Sequence, residues 1–114
     1  TQGIVLPWRP VSTNTTEENT IITVTGNTNL QNNQTYTLGD TTYNSTINVY
    51  LPDPSINTGK MYYLKKISSS AGTINFLPNN AETIEDTTSL SVTSQYQRIS
   101  VVSDGTNWWK IIGS

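Results

Sequence analysis

Thr46-Ile47-Asn48-Val49-Tyr50-Leu51 sends Ile47, Val49 and Leu51 to one side and Asn48 and Tyr50 to the other. That alternation is the period of a half-buried β-strand. The stretch stops at Pro52-Asp53-Pro54, because proline cannot donate to a ladder, and Asn57-Thr58-Gly59 adds a turn with a glycine suited to positive φ. Outward from it, short β-branched and aromatic runs bounded by turn formers predict further strands at 20–25, 34–38, 60–68, 73–77, 89–93, 96–103 and 108–112. Ser68-Ser69-Ser70-Ala71-Gly72 and Pro78-Asn79-Asn80 bracket the run around Phe76. Asp104-Gly105 sits between two alternating runs and is the strongest hairpin signal. No segment carries a helical stripe. The reading is an all-β domain, an antiparallel β-sandwich or jelly-roll-like barrel.

Thr, Asn, Ser and Gln make up 50 of the 114 residues, and Leu, Ile, Val and Phe only 26. A chain this short buries roughly 65% of its unfolded surface, and with no Cys it has no disulfide to compensate. Oligomerisation is the remaining way to extend so thin a core. Residues 1–18 differ from the rest: the apolar Ile4-Val5-Leu6 runs into Pro7-Trp8-Arg9-Pro10 and then polar sequence. They are expected to form an entry segment or linker from a preceding part of a longer protein, with Trp8 docking on a neighbour, and 19–114 a single β domain. The first residue is Thr rather than Met, as expected of a fragment or processed product.

Lacking His and Cys, the chain has no Ser-His-Asp triad, Cys nucleophile, haem His or ordinary zinc site. The formal charge is −2, and the six Lys and Arg are scattered, so no basic stripe awaits nucleic acid. No apolar run approaches the ~18 residues of a membrane span, and no membrane insertion is expected. Glu17 with Glu18, and Glu82 with Glu85 and Asp86, are the two available carboxylate groups. Glycoside hydrolysis needs two carboxyls held across a cleft, which adjacency does not supply, so these read as solvated charge and no enzyme is expected. A calcium site from Asp86 and Asp104 would need alternating ligands in an Asp-rich loop, which is missing; no cofactor or metal is expected. Asn14, Asn33 and Asn44 open Asn-x-Ser/Thr acceptor patterns, a number that chance supplies in so Asn- and Thr-rich a chain.

In a strand over 108–112, Trp109 and Ile111 share one face and Trp108, Lys110 and Ile112 the other. One Trp is therefore expected in the core and the other against a sister subunit or solvent, with burial against a subunit the preferred reading and a ligand platform the lesser one. The run Lys60-Met61-Tyr62-Tyr63-Leu64-Lys65-Lys66 has apolar residues on both faces, the pattern of burial on two sides, one of them between subunits.

Thr46 to Leu51 with Pro52, Gly59 to Lys66, Ala71 to Phe76, Glu82 to Asp86 and the closing Ser103-Asp104-Gly105-Thr106-Asn107-Trp108 follow in an order that resembles a small β module at the C-terminal ends of viral fibre and spike proteins, notably bacteriophage tail fibres and head fibres. The resemblance covers residues 46–112. It departs where the family has Asp-Gly after Thr-Ile, since Glu85-Asp86-Thr87 stands there. It implies a homotrimeric head on a fibre shaft, exposed on the virion surface outside the cell. It further implies a role in attachment to a host-surface glycan or protein, in capping the trimer, or both. Two other readings fit the residues: a purely structural trimerisation cap, and a monomeric carbohydrate-binding module of a secreted bacterial protein with an exposed Trp platform. Loops carry binding residues on β scaffolds, which nominates Asn79, Asn80, Asp86, Asp104, Asn107 and Trp109 for receptor binding.

Overall fold

The computed structural model describes residues 19–113. The entry segment expected over 1–18 and the docking of Trp8 lie outside the described residues. Among the described residues nine strands run in order: β1 Thr20–Val24, β2 Thr28–Asn29, β3 Gln34–Gly39, β4 Thr46–Tyr50, β5 Met61–Lys66, β6 Thr73–Leu77, β7 Leu90–Val92, β8 Arg98–Ser103 and β9 Trp108–Ile112. A 3-10 turn at Pro54–Ile56 is capped by Asp53. The all-β expectation therefore holds for the described residues.

The arrangement of strands differs from the antiparallel sandwich. One sheet has the order β1-β3-β5-β8-β9 and the other β2-β4-β6-β7, so the first six strands alternate between sheets. Ladders β1-β3-β5 and β2-β4-β6 are parallel, and only β5-β8-β9 and β6-β7 are antiparallel. Both sheets are thus mixed, and neither closes into a barrel. The physical reason lies in the connections. The connections 40–45, 51–60 and 67–72 carry the chain across the ~10 Å between packed sheets instead of turning it back beside the strand it has left. Each pair of strands becomes one coil, and successive coils stack as in repeat architectures.

Register obeys the alternation of each strand. Thr46, Ile47 and Asn48 lie opposite Thr73, Ile74 and Asn75. Ile47, Val49, Ile74 and Phe76 point inward and are fully buried. On the outer side, Asn75 Nδ2 donates to Asn48 Oδ1 at 3.0 Å. The facing sheet contributes Tyr62, Leu64, Ile99 and Val101, and Trp108 closes the core with its ring edge-on to Tyr62 at 5.5 Å. Lys66 also points inward. It is 1% exposed, and its Nζ donates to the carbonyls of Ser68 at 3.0 Å and Ser70 at 2.5 Å. Adjacent Lys65 faces outward over the Tyr96 ring at 5.6 Å, as alternation requires.

The last strand breaks the expected alternation. Lys110 pairs with Val101 but Ile112 with Ser100, so Ile111 is the extra residue of a β-bulge, a device that re-aims the side chains beyond it. Ile112 consequently lies on the outer face with Trp109 and not on the inner face with Trp108.

Candidate association surface

Two regions of the domain stand out, a cluster of loops at one end of β8 and β9 and the outer face of the five-stranded sheet. The loop 83–87 is sewn to the start of β9: Trp108 N donates to Thr83 O at 2.9 Å and Glu85 N to Trp108 O at 3.0 Å. Asn107 Oδ1 accepts from Thr83 N at 3.0 Å, and Glu85 Oε2 from Lys110 N at 3.1 Å. Ile84 and Thr87 bond each other's backbone, and between them Glu85 and Asp86 take positive φ of 53° and 61°. Asp86 is exposed at the tip.

Asp104 organises the facing turn. Its Oδ1 accepts from the backbone N–H groups of Thr106 and Asn107, both at 2.8 Å, and its Oδ2 accepts from Trp109 Nε1 at 2.7 Å. Donation by Asn107, Trp109 and Thr106, in that order, holds the carboxyl below its ordinary pKa, since each bond favours the charged form. Four of the nominated residues, Asp86, Asp104, Asn107 and Trp109, thus belong to one loop pair. Asn79 and Asn80 are exposed beyond β6, and Asn80 N donates to Glu82 Oε1 at 3.1 Å. Among the described residues no hydrogen bond links either Asn to the Asp104 cluster. Of the two tandem tryptophans, Trp108 is fully buried, with no partner for its Nε1 among the described residues, and Trp109 is half-buried.

The outer face of the five-stranded sheet is apolar across four strands. Ile21 of β1 pairs with Tyr36 of β3 and Tyr36 with Tyr63 of β5, while Tyr63 lies opposite Ser100 of β8, which is paired in turn with Ile112 of β9. Side chains from this row line an open trough of about 290 Å³, bordered also by the next row on the same face, Leu38, Lys65 and Arg98. Ile21 is 62% exposed, Tyr36 42% and Ile112 46%. Large apolar groups gathered in one patch are less common on a protein surface than single scattered ones. The Tyr36 and Tyr63 rings stack on each other at 5.1 Å and 19°.

The trough is only half legible in the sequence. Two-sided apolarity of β5 points to it, but nothing local singles out Ile21, Tyr36 and Ile112, because their meeting depends on parallel pairing and on the bulge in β9. Compared with protein-family models, curated proteins and solved structures, the chain matches none.

Proposed function

We propose that this chain is the subunit of a homotrimeric fibre head on a virion, attaching to a host-surface glycan or protein and capping the trimer. The observation that carries the reading is the apolar outer face of the sheet around β5, whose inner face already serves the core. A face of this kind in a chain with a thin core supports burial against copies of itself. Stacked coils advance along one axis, a geometry that suits the end of a fibre. Three linked copies would also let weak individual sites act together. Native mass spectrometry and light scattering at micromolar concentration test it: a trimer is expected, and a stable, folded monomer overturns it.

A second reading is favoured by the state of the loops. Asp104, Asn107 and Trp109 use side-chain polar atoms within the domain, which suits a trimerisation cap with no ligand of its own. Absence of binding to host cells and glycans by the intact trimer, with failure of a longer fibre to trimerise once this domain is deleted, selects the cap. The monomeric carbohydrate-binding reading has less support. Trp108 is buried, and the stacked rings of Tyr36 and Tyr63 spend faces on each other that a sugar would need.

A further inference from the structure

Lys65 and Arg98 lie directly opposite each other across β5 and β8, on the border of the apolar trough. Like charges in that position repel. Among the described residues no carboxylate is paired with either; Lys65 has only the Tyr96 ring beneath it. Two cations held together beside an apolar trough fit an occupant with an apolar contact surface and a carboxylate able to sit between them, where the guanidinium offers a two-pronged donor. A sugar fits poorly, because its hydroxyls would face aliphatic and aromatic walls.

The same chain carries the complementary group. Asp86 is exposed, is held out by its positive φ and has no hydrogen bond among the described residues. Its loop is bridged to Trp108, which pairs with Ser103 at the far end of β8 from Arg98. The cationic and acidic sites therefore lie about 17 Å apart along one strand, at ~3.4 Å per residue. Two complementary patches at opposite ends of one subunit are what a head-to-tail association of identical chains requires. Resting on the homo-oligomer reading, we infer that the trough is the contact between copies, with a second copy of this chain as occupant and its Asp86 carboxylate set between Lys65 and Arg98.

The test uses the full chain, its mass followed by light scattering across a dilution series and its fold by circular dichroism. Arg98→Glu and Asp86→Arg both change exposed side chains, and the circular dichroism reports whether each variant keeps the fold. Each is expected to raise the concentration at which the oligomer dissociates by about tenfold or more, and the double variant Arg98→Glu/Asp86→Arg to restore it. Single variants that associate like the parent overturn this contact while leaving the oligomer reading standing. Association that survives both but is lost when Ile4, Val5, Leu6 and Trp8 are changed to Ser assigns the surface to the amino-terminal segment and overturns it too. A parent chain that is monomeric at every concentration removes the oligomer reading, and the inference with it.

Discussion

Trp109 and Asp104, nominated from sequence as separate loop contacts for a receptor, are bonded to each other: the indole Nε1 donates to Asp104 Oδ2 at 2.7 Å. The other carboxylate oxygen of Asp104 holds two backbone N–H groups of its own turn. The pair therefore closes the β8–β9 hairpin and orients Trp109 on the outer face of the sheet, beside Val102. At this end of the domain the exposed tip at Asp86 is left free.

Acid should weaken the fold through these turns. The carboxyl pKa is lowered at Asp104 chiefly by the Asn107 N–H, at Asp40 by the Thr42 side chain and at Asp53 by the Ser55 N–H. A depressed folded-state pKa contributes stability above the unfolded value, about 3.9 for Asp, and loses it as pH falls through the folded value. Melting temperature is expected to stay level from pH 7 to 5 and to drop below about pH 4. Asp104→Asn should drop less over that range; an identical drop would remove Asp104 from the account.

The tandem tryptophans should separate cleanly in urea denaturation. Trp108→Ala empties a fully buried site against Tyr62 and is expected to cost about 3–5 kcal/mol. Trp109→Phe loses one exposed hydrogen bond and should cost roughly 1 kcal/mol. Equal losses would mean that Trp109 is core as well.

Gly39 is required by the packing of one sheet on the other. A Cβ there would overlap Ile74 Cδ1 and lie 3.2 Å from Cγ1. Gly39→Ala is expected to destabilise by about 1–3 kcal/mol, and Ile74→Val, which removes the overlapping methyl, to recover part of that. A double-mutant cycle reads the coupling, and strict additivity would contradict the contact.

Lys66 is a buried cation whose role is to satisfy the carbonyls of Ser68 and Ser70 as the chain leaves β5. Lys66→Met keeps the aliphatic stem and strands those acceptors, at an expected cost of roughly 1–3 kcal/mol. Lys65→Met, on the outer face, should be close to neutral in the same chemical denaturation once the chain is dilute enough to be monomeric. If both substitutions are neutral, water reaches the two carbonyls.

Alternation at Ile47, Val49 and Leu51 is enough to locate β4 and its inner face, and Asp104-Gly105 locates the hairpin between β8 and β9. The coiled arrangement leaves a fainter trace in the residues. Thr46-Ile47-Asn48 recurs as Thr73-Ile74-Asn75, the two triplets pair in register, and Tyr36 pairs with Tyr63 at the same 27-residue offset. An internal repeat at such a spacing is the mark of stacked coils, but three residues are easily lost in a chain so rich in Thr and Asn.

Sequence alone determined the all-β character and the inward face of most strands, because period two is a property of the local backbone and needs no partner. Tertiary structure decided which strands pair and what the outer face presents. Parallel partners far apart in sequence are chosen by the packing of one sheet on the other, which no local pattern encodes. The bulge that turns Ile112 outward arises only when β9 is laid against β8. By the same long-range pairing Lys65 meets Arg98, and Ile21 reaches the trough that Tyr36 and Tyr63 line.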